Sequence, residues 1–552
     1  MKFDVTSSNL SRLILASLLS LCMLDSSAAN ELSPPRIIER VAPDFIETPV
    51  KSSFSLPAIK LPKSENNAKN NKKIRVIKAQ LKGNTVLEKS IVSLVMHKVL
   101  NRDVTLDELE QVRYDISKLY YDAGYINSGV ILPKQSFDNG LVVFVAIEGE
   151  LSEVNIVGLS KSAEEKIRKD IIKGAGTPLN INKLQNNITR INALQTVDKI
   201  HAIFLPGTTP GKSILNIQIT EAKNYNFIFG LDNYRSPSVG AERGFAAFQH
   251  HNLSGNLDSI SLQAGLAKGM NDYSLRYDFP INRYNSKISS YYVKSDSQLI
   301  DDEIVETLDI TNSTSIYGVN WKFIFPQKIY FLSDASVGLE LLKNKNSIIG
   351  LDKENVLVIA GHHQFSSLNV GRDFHHEINT TLRVGQASSE SIDKKFNSNS
   401  AFSLVKLKTV SVHKISSTAA TLKLRTSSQL FSDSLRGLER FSMGGFYTVR
   451  GYRENTLVRD NGIVLNIEYT TRFTQLALPH LTATMFVDGA NGWNNDGGSA
   501  TKQLLSLGAG LNWNNRKNLS MDTFFGLPLM NKPDTSGNLQ DLGFHFGVQY
   551  YL

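Results

Sequence analysis

The chain has one cysteine among 552 residues, Cys22, and it lies in an apolar N-terminal stretch. The rest of the chain therefore has no disulfide framework and no thiol chemistry. Long apolar runs are missing as well. Past the N-terminal stretch, no segment reaches the ~18 uncharged apolar residues of a membrane helix, so any residence in a bilayer must be through strands. Charge of one sign is also lacking. The 60 Lys and Arg face 52 Asp and Glu, and the excess of +8 is spread along the chain. No basic stripe interleaved with aromatics is present, so nucleic acid is not an expected partner. No acid/base or nucleophile constellation and no cofactor fingerprint are found, so neither an enzyme nor a cofactor is expected. With 41% hydrophobic and 20% charged residues, the chain has the composition of a folded protein.

The first 28 residues read as a secretory leader. Lys2 and Arg12 precede the short apolar run 13–24, and Ser26, Ser27, Ala28 and Ala29 are small residues suited to cleavage. The mature chain is expected to start near Ala29 or Asn30. A lipid anchor on Cys22 is the alternative, disfavoured by the bulky Leu21 before it. Residues 29–73 are read as an irregular segment and linker. Pro34, Pro35, Pro43, Pro49, Pro57 and Pro62 forbid a long helix there, leaving room only for a short one within 36–41. Residues 63–73 (KSENNAKNNKK) are polar and have the composition of a linker.

Residues 74–150 and 151–223 repeat one order of elements, strand–helix–helix–strand–strand. In the first copy Leu106, Leu109, Val112, Ile116 and Leu119 recur at helical spacing. Thr105 and Glu108 are set as a capping box and Gly124 ends the helix. In the second copy, strands at 199–205 and 213–219 are joined by 206–212 (PGTTPGK). This Gly-Lys-Ser segment has three residues between its glycines and a strand after it. A phosphate-binding loop needs four and a helix, so a hairpin turn is expected.

From 224 to 552 helical periodicity gives way to alternation. Leu542, Phe544, Phe546, Val548, Tyr550 and Leu552 alternate with Gly543, His545, Gly547, Gln549 and Tyr551. Ile463, Leu465, Ile467 and Tyr469 alternate with Asn466, Glu468 and Thr470, with Val464 the exception. Segments of about 9–12 residues, with tight turns near 281–285, 325–328 and 514–518 alternating with longer polar loops, suit a transmembrane barrel. About sixteen strands are expected. The segment 431–461 then becomes the sixth outer loop. The pairs His250–His251, His362–His363 and His375–His376 cannot chelate jointly, because adjacent strand residues face opposite ways.

The segment 437–454 (GLERFSMGGFYTVRGYRE) carries four glycines, as if its backbone packed closely against something. Val449, Arg450, Gly451 and Tyr452 resemble the VRGY motif in the sixth loop of the outer-membrane assembly and secretion barrels. Glu439, Gly444 and Gly445 resemble the supporting residues of that loop. The resemblance implies a loop folded into the lumen, its arginine meeting an aspartate on the thirteenth strand. Phe486 and Asp488 stand at the matching place, with Ala490 where that motif has its last glycine. Independently, the apolar parity of Leu481, Ala483, Met485 and Val487 turns Asp488 toward the lumen. In a wet lumen the pair is expected to contribute only about 1 kcal/mol, and more if partly desolvated.

Within that superfamily the two repeats resemble POTRA domains, and the segments 204–219 and 231–240 resemble the two-partner secretion transporters of the TpsB type. The fold class this implies is mainly β, an about 16-stranded transmembrane β-barrel preceded by two α/β POTRA domains. The resemblance also implies an outer-membrane exporter with periplasmic POTRA domains and a plug formed by an N-terminal helix. Its partners would be a secreted protein with an N-terminal secretion domain, outer-membrane lipid and, during biogenesis, the barrel-assembly machinery. The chain is expected to be monomeric and to bind no metal. A barrel-assembly insertase and a passive solute porin are the alternatives. Two repeats are few for an insertase, and a porin has neither repeats nor the loop motif.

Overall fold

The computed structural model describes residues 53–55 and 73–552. Left out within that range are 193–196, 222, 283–285, 301–308, 326–330, 350, 372, 392–397, 416–419, 432–438, 473–479, 496–501, 516 and 531–536. The leader and the short plug helix expected within 36–41 lie outside the described residues. The described chain forms two compact units, one within Pro49–Lys223 and one within Asn224–Leu552.

The first unit holds both repeats. In the first repeat, β3 (Lys78–Lys82) runs parallel to β6 (Leu141–Ile147), and β5 (Gly129–Ile131) pairs with β6 antiparallel. Helices α1 (Lys89–His97) and α2 (Leu106–Asp122) supply Val92, Leu109, Val112, Ile116 and Tyr120 to a core closed by Val142 and Phe144. The Thr105–Glu108 capping box is formed in both directions. Gly124 follows α2 with φ 88°, a left-handed conformation that suits glycine at a helix end. The opening strand of this repeat divides at Ile77. Its first part, β2 (Ile74–Val76), pairs with a short strand, β4 (Arg102–Val104), that three residues cannot announce by alternation.

The second repeat has the same plan. β7 (Glu150–Val157) is parallel to β9 (Lys212–Glu221), and β8 (Val197–Pro206) is antiparallel to it. Helices α3 (Lys161–Ala175) and α4 (Ile181–Asn192) cover one face with Ile167, Ile171, Leu184 and Ile188. One further strand, β1 (Ser53–Ser55), lies in the stretch read as irregular and adds to β8 in parallel.

The repeats are joined by paired polar groups. Ile181 N–H donates to Gly124 O at 2.9 Å, and Leu179 N–H to Gly149 O at 2.7 Å. Asn127 Nδ2 reaches Ser213 Oγ at 3.1 Å and Gly211 O at 3.4 Å. The turn 206–212 is thus a hairpin connection, closed by Gly207 N–H on Lys212 O, and it also serves the joint.

The second unit is a closed barrel of sixteen strands. It runs from β10 (Tyr225–Asp232) to β20 (Ala420–Phe431), then from β23 (Asn461–Arg472) to β27 (Phe544–Tyr551), each strand antiparallel to its neighbours. β27 returns to β10, which closes the ring. Outward positions are apolar and exposed, as in Leu339, Ile359, Leu382, Leu465 and Val487. That is the surface a lipid-facing wall presents. Connections at alternate ends are tight, but so are two outer ones: Ala267 leads at once into the strand at Met270, and Ile348 into the strand at Leu351.

Candidate functional site

The sixth outer connection turns inward. Its core is a hairpin, β21 (Phe441–Met443) with β22 (Leu457–Arg459). Met443, Val449, Tyr452 and Leu457 pack on the lumen side of the wall against Val464, Ala490 and Leu504. This contact explains two sequence features. Val464 breaks the alternation of β23 because its lumen-facing side chain lies under the loop. Ala490 replaces a glycine because its methyl fills the same cluster.

Tight turns bring the loop's backbone against the wall. Gly444, Gly445 and Gly451 have φ of 108°, 94° and 92°, where a side chain is strained. A Cβ on Gly451 would also stand 2.8 Å from the backbone of Gly526. Thr448 Oγ1 accepts from Gly444 N–H at 2.8 Å, and Gly445 N–H donates to Val449 O at 3.1 Å. These bonds project Arg450 at the wall.

Arg450 donates from Nε to Asp488 Oδ2 at 2.7 Å and from Nη2 to Asp488 Oδ1 at 2.8 Å, while its own N–H meets Oδ2 at 3.1 Å. Asn466 Nδ2 adds a bond to Asp488 Oδ1 at 2.8 Å. Asp488 lies on β24 (Leu481–Trp493), the thirteenth barrel strand. Arg450 also meets Glu468 Oε1 at 2.9 Å, which takes a second bond from Arg425 at 3.0 Å. The four charges balance, two of each sign. The guanidinium lies 3.7 Å from the centroid of the Phe486 ring and 5.1 Å from that of Phe524, a cation–π arrangement.

Arg450 is 2% exposed and Asp488 0%. Of the two cases expected, a wet pair and a desolvated one, the structure has the desolvated one. Loop and wall remove water from both partners, so the pair is a buried one with every carboxylate oxygen satisfied.

Tyr452 is buried, and its hydroxyl meets Leu505 O at 2.8 Å and accepts from Met530 N–H at 3.2 Å. Gly445 faces the Glu454 carboxylate, which accepts from Phe446 N–H at 2.6 Å. Glu439 lies apart from Arg450 and makes a separate anchor. It meets Arg383 of β18 (Phe374–Ser391) at 3.0 Å, and Arg383 continues to Glu340 of β16 (Phe331–Ile348), which holds the Tyr291 hydroxyl. Sequence reasoning missed Arg383, Glu340, Arg425 and Glu468 as partners. Parity gives a side to Glu468, but its pairing depends on register, in which Glu468 sits opposite Phe486 and Asn466 opposite Asp488.

A closed sixteen-stranded barrel with a charged, glycine-rich loop clamped inside it narrows the comparison. Residues 211–513 match the family described as haemolysin secretion/activation protein ShlB/FhaC/HecB, and residues 74–149 match the ShlB-type POTRA domain. The chain belongs to the haemolysin secretion/activation family. The haem/hemopexin transporter HuxB of Haemophilus influenzae (strain 86-028NP) is 21% identical over 480 residues, 81% of this chain and 82% of that one. The haemolysin transporter ShlB of Serratia marcescens is 21% identical over 431 residues, 73% of this chain and 74% of that one. The outer-membrane transporter CdiB of Dickeya dadantii is 25% identical over 210 residues, 35% of this chain and 37% of that one. Among solved structures, CdiB from Escherichia coli gives a TM-score of 0.68 at 17% identity, covering 90% of this chain and 94% of its own. That likeness shows the shared fold. Members of the haemolysin secretion/activation family are transporters, and this chain is an outer-membrane exporter of a partner exoprotein by two-partner secretion.

Proposed function

We propose that the sixth loop, held by Arg450 on Asp488, is the element that governs passage of the partner exoprotein through the barrel. The observation that carries this reading is the loop's place: its hairpin occupies the lumen side of the wall, with Arg450 buried in the ion pair. A chain crossing the lumen has to pass this loop. Its position is set by four balanced charges and three turn glycines, a construction that fixes geometry more than it adds stability.

The partner is a large secreted protein with an N-terminal secretion domain, of the haemolysin, adhesin, contact-dependent toxin or haem-binding kind. The names of the relatives HuxB, a haem/hemopexin transporter, and ShlB, a haemolysin transporter, favour the haem-binding and haemolysin kinds. The repeats over 74–150 and 151–223 receive it, and sheet edges such as that of β7 offer backbone groups to an extended chain. The apolar outer wall rests in lipid, the barrel-assembly machinery inserts it, and one chain closes the barrel as a monomer. Residues 1–28 act as the leader and 29–73 as the segment before the repeats.

The test is co-expression with a large exported protein that wild type secretes. Wild type releases it to the medium, and the Arg450→Ala variant retains it in the periplasm at equal barrel abundance. Equal release by the two would remove the loop from the transport step.

A further inference from the structure

The ring closes on its shortest ladder. β10 and β27 share five register pairs, Ile228–Asp232 against Gly547–Tyr551, fewer than any other neighbours in the barrel. Beyond the outer end of that ladder, side chains continue it. Asn233 donates from Nδ2 to Phe544 O at 2.9 Å and accepts on Oδ1 from Phe546 N–H at 2.9 Å, so its amide imitates a further peptide pair.

Above this lies Gln540, fully buried, on the last outer loop. Its Nε2 donates to Asn233 O at 2.6 Å and to Arg235 O at 2.7 Å, both just past β10. Its Oε1 accepts from Glu454 N–H at 3.0 Å, in the sixth loop. The orientation of the amide is forced, because a flip would set donor against donor and acceptor against acceptor. Only a primary amide supplies this set of one acceptor and two donors. A second contact runs alongside: Tyr234, between the two carbonyls, stacks on Phe446 of the sixth loop at 3.8 Å and 9°.

We infer that Gln540 is a positioning residue that joins the sixth loop to the closing seam, so that loop position and seam closure change together. The argument is one of shared partners. When the loop withdraws, Gln540 loses its acceptor bond and Tyr234 its stack, and the donors that prolong the seam lose their support. When the seam frays, Gln540 loses the two carbonyls that fix it beneath Glu454. A buried polar group left unpaired is costly, so the two ends favour breaking together. The inference rests on the reading of the sixth loop as the transport element. Its readout is exchange and not secretion, so either can fail alone.

The experiment is hydrogen exchange by mass spectrometry on the full-length protein in lipid nanodiscs, following a seam peptide (544–551) and a loop peptide (441–456). The deciding variant is Gln540→Glu. It keeps an acceptor for Glu454 N–H and loses both donors to the seam. Exchange of both peptides is expected to rise about tenfold. A rise confined to the seam peptide would overturn the inference, since the loop's local bond survives in this variant. Arg450→Ala releases the loop from Asp488 and Glu468 and leaves Gln540, Asn233 and Tyr234 unchanged. It should speed seam exchange in the wild-type background and add little in Gln540→Glu, whereas additive effects would count against coupling. If heat-modified gel mobility shows that Gln540→Glu does not fold, wild type decides. Under conditions of slow reclosing, both peptides should show one opening rate, and two separate rates would overturn the proposal.

Discussion

At the residue scale, the Arg450–Asp488 pair is more costly to break than the sequence suggests. Breaking a buried pair by removing one partner leaves an uncompensated charge and costs about 3–5 kcal/mol, against about 1 kcal/mol for a wet one. That cost falls on loop position, because Arg450 contributes nothing to the strand ladders. Arg450→Ala and Asp488→Ala should therefore each cut secretion while leaving a barrel that still migrates as heat-modifiable. Arg450→Lys should fail as well. A lysine ammonium cannot fork across Asp488, reach Glu468 and lie over the Phe486 ring at once. Secretion assays paired with heat-modifiability gels check this, and a functional Arg450→Lys would reduce the site to simple charge. Arg450 and Asp488 were legible from motif and parity. Glu468 was legible only as lumen-facing, and Gln540 was not legible, because its three partners come from two distant loops.

At the element scale, the sixth loop is fastened on two walls. Arg450 holds it to the thirteenth strand, and Glu439 holds it through Arg383 to β18 and β16. Arg383→Ala should free the Glu439 end alone. The expected result is partial secretion, with trypsin cleavage after Arg440 where wild type resists. The exchange Glu439→Arg with Arg383→Glu should recover only part of it, because the new glutamate would face Glu340. Full resistance of Arg383→Ala would show that the second fastening is idle.

The repeats pose a separate case. Their order was readable because helical spacing, the capping box and Gly124 agree. β4 and the joint were not readable, since a three-residue strand and a shared Asn127 leave no periodic trace. Asn127→Ala removes a side chain bonded to both Ser213 and Gly211 across the joint. It should loosen the joint by about 1 kcal/mol while each repeat stays folded. Limited proteolysis of residues 74–223 within the full chain should then cut near 148–150, and unchanged protection would place the joint's strength elsewhere.

At the scale of the whole molecule, the wall outside the closing seam does not depend on the sixth loop. The wall rests on sixteen antiparallel ladders and an outward apolar surface, and the sixth loop contributes to neither. Its hairpin and the cluster of Met443, Val449, Tyr452 and Leu457 instead take up lumen space. Replacing 441–458 by a short Gly-Ser linker should leave a barrel that inserts and stays heat-modifiable. The replacement also removes Arg450, which pairs with Asp488 and shares Glu468 with Arg425, so the lumen becomes wider and more negative. Single-channel recording should then show a conductance several-fold above wild type, shifted toward cation preference, with secretion abolished. The sign of the selectivity change is the stringent part. Arg450 and Arg453 leave with the loop against Glu454 as the sole acid, a net loss of one positive charge. A wider pore with unchanged selectivity would mean that ions do not pass the wall where Arg450 is held. A conductance equal to wild type would mean that the loop does not set the narrowest part of the lumen.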